Sequence, residues 1–201
     1  MFGLFKKKPK RTTINVTASI NAKLMPIQRG EFFGDPMNEW LKKNNLGFTE
    51  DGGCGLTMAY EPDFCDLELE LYEVTSEILD RITDKLETLG APKGSKLRWD
   101  DQIRAFGKLE GLALYLNGTD LSEEVYENND SNLLAQQIGM ALVGKVKLGG
   151  SWNGPTETGI YLYGDSFEEM NGLIADLLAS HPLCEKCRVV QIAPRPEGDE
   201  I

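Results

Sequence analysis

A register shift of 91 residues lays Leu71-Tyr72 on Leu162-Tyr163, Glu77 on Glu168 and Leu86 on Leu177. Conservative pairs fill the spaces between them: Leu69 with Ile160, Thr75 with Ser166, Leu79 with Met170, Ile82 with Leu173. In both copies the shared stretch reads as a strand, a helix cap and a helix, and that coincidence carries more weight than the few identities. Two copies of one supersecondary unit is the economical reading of the 201-residue chain.

Each copy parses the same way. In the first, Thr13–Ile20 is a β-branched run that predicts a strand, and Pro36–Asn44 predicts a short helix capped by Asp35. Gly52-Gly53 breaks the chain before a strand-like Leu56–Ala59. Along Leu67–Glu73, Leu67, Leu69 and Leu71 alternate with Glu68, Glu70 and Tyr72, the period of a half-buried strand. Ile78, Leu79, Ile82, Leu86 and Leu89 then recur at helical spacing, Gly90 ends that helix, and a short strand near Lys96–Trp99 closes the copy. In the second copy Leu109–Leu116 is a strand, and Asp120–Asp130 is an acidic connection with a helical turn. Leu133–Val143 is a helix capped by Asp130 or Ser131, and Lys145–Trp152 and Glu157–Tyr163 form a hairpin. Ser166 with Glu169 makes a capping box for the last helix, and Arg188–Ala193 is the last strand.

Both copies therefore read β-α-β-β-α-β. The expected fold is α+β: two tandem ferredoxin-like units from an internal duplication. A basic flexible tail would cover residues 1–11, the units residues 12–100 and 101–195, and a mobile tail residues 196–201. Units of ~90 residues bury little surface alone, so the halves are expected to support one another.

The charge is uneven. The net charge is −11, yet Lys6, Lys7, Lys8, Lys10 and Arg11 are five of the 21 basic residues, and no acid precedes residue 12. The remaining 16 basic residues face all 32 acidic ones, a balance of −16 from residue 12 onward. Such a body repels phosphate backbones, which argues against direct nucleic-acid binding, and attracts basic surfaces. Met1–Phe5 is apolar with the basic run after it, the reverse of a secretory signal, and Phe2 stands where myristoylation needs Gly. The expectation is a cytoplasmic protein without stable membrane association.

Four cysteines suit that compartment. His181, Cys184 and Cys187 could supply three zinc ligands, with Cys54 or Cys65 a fourth, so a small metal protein or enzyme built on this cluster is the alternative reading. The preferred reading is reduced structural thiols, with no metal and no cofactor. A redox C-x-x-C opens a helix, whereas Cys184–Cys187 follows one. Gly139–Lys145 imitates a P-loop, but Val146 replaces the magnesium-binding hydroxyl and the glycines end a helix instead of opening one. His181, the only histidine, has its one nearby nucleophile, Cys184, three residues away, which is too local for an assembled nucleophile and base. No catalytic residues are assigned, and the chain reads as a non-enzyme.

The strand alternation carries the site expectation. If Leu67, Leu69 and Leu71 face the helices, then Asp66, Glu68, Glu70 and Tyr72 face away, and in the second copy Tyr161 and Tyr163 do, with Tyr115 on the neighbouring strand. Stacked RNA bases would need basic surroundings that this chain lacks, so the tyrosines are expected to pack on the other half or on a protein. Trp152, an indole inside the turn-rich Gly149–Thr156 loop, is either an anchor for a partner or a lid on the sheet edge. Asp66, Glu68, Glu70, Tyr72, Trp152, Tyr161 and Tyr163 are the candidate partner-binding residues.

The run from Gly154-Pro155-Thr156-Glu157-Thr158 through Leu162-Tyr163-Gly164-Asp165-Ser166, with the turn Pro182-Leu183-Cys184-Glu185-Lys186-Cys187, resembles bacterial immunity proteins of polymorphic toxin systems. The resemblance covers the last hundred residues or so, and the family shares no general motif whose site residues could be carried over. It implies a toxin inhibitor that blocks a basic cognate toxin by direct occlusion. A ligand-binding regulatory module is a third reading. The sequence does not give the oligomeric state.

Overall fold

The computed structural model describes residues 11–196 together with Gly198 and Ile201. The expected basic tail over residues 1–11 thus lies outside the described residues except for Arg11. The expected tail over residues 196–201 is described only at Pro196, Gly198 and Ile201.

The chain is α+β, with two antiparallel sheets and their helices. The first part runs β1 (Ile14–Ile20), α1 (Pro26–Arg29), a π-helical turn (Gly30–Gly34), α2 (Asp35–Lys43), β2 (Gly47–Glu50), β3 (Cys54–Leu56), β4 (Pro62–Leu71), α3 (Ser76–Thr88), β5 (Ser95–Trp99) and β6 (Gln102–Phe106). The second runs β7 (Glu110–Asn117), α4 (Glu123–Asn128), α5 (Ser131–Ala141), β8 (Val146–Asn153), β9 (Glu157–Gly164), α6 (Phe167–Ser180), a 3-10 turn (Pro182–Cys184) and β10 (Arg188–Ala193). The strand orders are β2-β4-β1-β5-β6, with β3 also on β4, and β10-β7-β9-β8. With β3 and β6 set aside, both sheets place their strands fourth, first, third, second in chain order.

The expected alternation explains the cores. Val16, Ala18 and Ile20 of β1 and Leu67, Leu69 and Leu71 of β4 are buried with Met37 and Leu41 of α2 and Leu79, Ile82 and Leu86 of α3. In the second sheet, Leu112, Leu114 and Leu116 of β7 and Ile160 and Leu162 of β9 pack with Leu134 and Ile138 of α5 and Met170 and Ile174 of α6. Each such side chain contributes roughly 1.5–3 kcal/mol by leaving water. Leu71 lies on β4 and Leu162 on β9, and Thr75 and Ser166 cap α3 and α6. Each cap hydroxyl accepts the backbone N–H three residues on, at 3.2 Å in both.

Three expectations change. The first helical segment begins at Pro26, not Pro36, and Asp35 is no cap: it lies inside a continuous helical run and donates its N–H to the Gly30 carbonyl five residues back. The strand expected over Leu56–Ala59 stops at Leu56, because Thr57 folds the next residues into a turn. Its carbonyl accepts from Tyr60 N–H at 2.9 Å and its hydroxyl from Ala59 and Glu61 N–H. Finally, β6 pairs with the whole of β5, so residues 102–106 belong to the first sheet and the division between the units lies after Phe106.

Candidate functional site

Opposite its helices, the first sheet carries three columns of polar side chains. Register sets Asp66, Glu68 and Glu70 of β4 beside Ser19, Thr17 and Asn15 of β1, and Arg98 and Lys96 of β5 flank Thr17 and Ser19 on the other side. The middle column, on β1, holds the hydroxyls and the amide, between the acids of β4 and the basic residues of β5. Ser19 Oγ donates to Asp66 Oδ1 at 2.6 Å and Thr17 Oγ1 to Glu68 Oε2 at 2.9 Å. Asn15 Nδ2 reaches both Glu68 Oε2 at 3.1 Å and Glu70 Oε1 at 3.3 Å. Donors on one side of each carboxylate fix its direction and leave its remaining lone pairs for solvent or a partner. Arg98 donates to Ser19 Oγ and to the carbonyl oxygen of Ile201, and Lys96 reaches that carbonyl too, so the Asp66 end is the more enclosed one. On the far edge, Glu50 of β2 stands directly opposite Glu68, a like-charge pair that a sheet tolerates at a small cost. Tyr72 continues the parity beyond the strand, and the Arg11 guanidinium covers its ring at 5.0 Å.

The equivalent face of the second sheet is closed. Tyr161 and Tyr163 are 0% exposed and Tyr115 is nearly buried. They share one apolar cluster with Ala22, Leu24 and Cys65 of the first unit. Polar atoms at this junction are matched. Tyr163 Oη accepts the Lys23 N–H at 2.7 Å, while Tyr115 Oη and Tyr161 Oη donate to Glu61 Oε1 at 2.6 and 2.9 Å. Lys23 Nζ completes the set 3.0 Å from the same oxygen. Burial alone would raise the Glu61 carboxyl, but the hydrogen bonds from Tyr115 and Lys23, the lysine charge and the Tyr161 bond outweigh it and hold it below its ordinary value. Burial, reinforced by Glu61, pushes both Tyr115 and Tyr161 up, so they stay neutral donors. Arg195 binds Asp63 at 2.8 Å and Asn21 Oδ1 at 2.8 Å, tying the end of the second unit to the first. Gly150 of β8 is needed for the approach, since a Cβ there would lie 2.6 Å from the Lys23 carbonyl oxygen.

Tyr161 and Tyr163 therefore present no surface to a separate molecule, contrary to their expected place among the partner-binding residues. Alternation put them on the face away from the second unit's helices, and the first unit covers that face. Trp152 is half-buried against the same cluster, and its ring lies over Gly154, where a Cβ would meet ring carbons as near as 2.0 Å. It is a lid on the sheet edge. Of the candidate residues, Asp66, Glu68 and Glu70 gather on the open face of the first sheet, and Tyr72 sits at its end under Arg11.

No family model matches the chain, and no curated protein does. Among solved structures, an unknown protein from Galdieria sulphuraria is similar at 14% identity, over 89% of this chain and 97% of that one, with a TM-score of 0.27. The first two RRM domains of the yeast poly(U)-binding protein align at 10% identity, over 89% of this chain and 99% of that one, with a TM-score of 0.25. At such scores neither likeness says anything of fold or function.

The cysteine cluster separates into two pairs. Cys54 and Cys65 face each other across β3 and β4, and all four cysteines are free thiols. Burial pushes Cys184 up to about 12 and raises Cys187, which keeps both protonated. His181 is a cap: its Nδ1 accepts the Leu183 N–H at 3.2 Å. Among the described residues no group of three or more His, Cys, Asp or Glu side chains gathers as a metal site. No helix of the described residues is long and apolar enough to cross a membrane. Glu61 and Lys23, the polar centre of the junction, were not singled out from the sequence. The signal that could have marked Glu61 is its place beside Pro62 at the start of the alternating strand.

Proposed function

We propose that the chain is a non-enzymatic binding protein of the immunity kind, which occludes a basic toxin with the open face of its first sheet. One observation carries this reading: Asp66, Glu68 and Glu70 form a half-buried column on the face away from the helices, aimed by donors from Ser19, Thr17 and Asn15. A prealigned row of carboxylates steers and orients a cationic partner without first having to order its own side chains. The acidic balance of the body and the resemblance of residues 154–187 to immunity proteins support the same reading. The shared strand order and the paired caps at Thr75 and Ser166 support two ferredoxin-like units from a duplication, in which one copy kept its sheet face for a partner and the other gave its face to the junction.

The test is binding of the wild type and the Glu68→Lys/Glu70→Lys variant to candidate basic toxin domains at low and high salt. The variant should fold with stability within about 1 kcal/mol of the wild type. Its association rate should fall at least tenfold at low salt, with a shallower salt slope. Equal rates and equal salt slopes for the two chains would remove the first-sheet face as the docking surface.

A further inference from the structure

Cys54 of β3 and Cys65 of β4 stand directly opposite each other. On the side away from the turn, the Asp66 N–H donates to the Gly53 carbonyl at 2.9 Å, which makes Cys54 and Cys65 a non-hydrogen-bonded pair of the ladder. That is the close kind of antiparallel pair, with side chains on one face and Cα atoms ~4.5 Å apart, inside the ~4.4–6.8 Å that a disulfide spans. The two thiols differ in access. Cys65 is 0% exposed, whereas Cys54 is half-buried. Arg29 of α1 sits against this point of the ladder. Its Nη1 donates to the Gly53 carbonyl at 3.1 Å and the Asp66 carbonyl at 3.3 Å, and its Nε is buried with no hydrogen-bond partner among the described residues. Burial raises the Cys54 thiol, and the Arg29 charge opposes that rise. On Cys65 burial dominates, and the same charge counts for little. Cys54 is thus the reachable thiol with a cation beside it, and Cys65 the sheltered one across the ladder. Cys184 and Cys187 also lie together, joined by a side-chain hydrogen bond, but no cation lowers either.

We propose that Cys54 and Cys65 are a redox-active dithiol, which hydrogen peroxide converts to a disulfide that staples the β3–β4 hairpin. Cys54, as the thiolate, attacks the peroxide O–O bond. Its sulfur becomes a sulfenic acid, and the leaving oxygen takes up the Cys54 proton and departs as water. The Cys65 sulfur then displaces the sulfenic hydroxyl, which leaves with the Cys65 proton as a second water. Two thiols and one peroxide give one disulfide and two waters, the sulfurs losing the two electrons that the peroxide gains. The staple acts beyond the two sulfurs. Between the cysteines lie the Thr57 turn and Glu61, which accepts from Tyr115 and Tyr161 and pairs with Lys23 at the junction. Closing the base of this hairpin restricts the unfolded chain and holds Glu61 where the second unit meets it. None of this depends on the function assigned to the first sheet.

Peptide mapping of the full chain tests it. Trypsin releases residues 44–81 as one piece holding both cysteines, because no Lys or Arg lies between Lys43 and Arg81. Lys186 parts Cys184 from Cys187, so a disulfide there would join two pieces instead. The reduced chain is treated with hydrogen peroxide, alkylated under denaturing conditions and digested. The piece 44–81 should become lighter by two hydrogens and lose both alkylation sites, ahead of any link between Cys184 and Cys187. A small dithiol should restore both sites. The oxidised wild type should unfold several degrees above the reduced chain, and peroxide-treated Cys54→Ser should show no such gain. Cys54 and Cys65 that stay alkylatable would overturn the proposal. So would a Cys184–Cys187 link that forms first, or an oxidised wild type that unfolds at the temperature of the reduced chain.

Discussion

The two sheets share a strand order but differ in the fate of the face their helices leave bare. On the first sheet that face is a column of half-buried carboxylates beside hydroxyls and an amide, with Arg98 and Lys96 at its Asp66 end, and the second unit does not close it. On the second it is a set of tyrosines, and the first unit closes it. A shift of 91 residues makes the contrast direct, because it sets Glu70 against Tyr161 and Tyr72 against Tyr163. An aromatic ring buries a large apolar area with a single hydroxyl to satisfy, whereas a carboxylate without a cation is costly to bury. Two units of one topology therefore pack asymmetrically, through the face whose side chains tolerate the loss of water.

The contrast can be broken hard at Glu61, a carboxylate that the junction largely buries. Glu61→Ala should destabilise the chain by about 3 kcal/mol, because Lys23 and the Tyr115 and Tyr161 hydroxyls lose their shared acceptor. Urea unfolding at neutral pH measures this. The same carboxyl is held below its ordinary value, so its stabilisation is present above the unfolded-state range near pH ~4.3 and is lost as the pH falls through the folded value. The wild type should therefore lose more stability than Glu61→Gln between about pH 6 and 3, and parallel curves would show that the junction does not depend on the ionised form.

A milder break is Tyr163→Phe, which leaves the Lys23 N–H without its acceptor and should cost about 1–2 kcal/mol. Tyr72→Phe, 91 residues earlier at the end of the first sheet's face, should cost under ~0.5 kcal/mol, as is usual for surface sites. The caps sharpen the likeness instead of the difference. Thr75→Ala and Ser166→Ala should each cost about 1 kcal/mol, since both hydroxyls make the same bond to the third helical N–H. Clearly unequal losses in thermal unfolding would separate the two helices.

What the sequence made legible was local. The alternation at Leu67, Leu69 and Leu71, the helical spacing of Ile78 to Leu89 and the caps at Thr75 and Ser166 each state their element without help from distant residues. Elements that need a distant or unusual partner were harder to read. Asp100-Asp101 turn the hairpin from Trp99 to Gln102, with Asp100 at φ 46, and the β6 strand beyond them was missed. Gly30, Gly34 and Pro36 argue against a helix by propensity, and the π-helical turn that carries the helix through them is a tertiary outcome. The acidic face was legible because alternation alone fixes it. For Tyr161 and Tyr163 the sequence left two occupants, the other half or a separate protein, because alternation says which face a residue takes and not what covers that face.

The reciprocal exchange of the two matched positions tests the asymmetry most directly. Urea unfolding of Glu70→Tyr and Tyr161→Glu should differ sharply. Tyr161→Glu places an uncompensated charge beside Glu61 in the closed junction and should lose about 4 kcal/mol or more, while Glu70→Tyr on the open face should stay within about 1 kcal/mol of the wild type. Similar losses for the two variants, or a tolerant Tyr161→Glu, would contradict the claim that one sheet face is closed inside the molecule and the other is not.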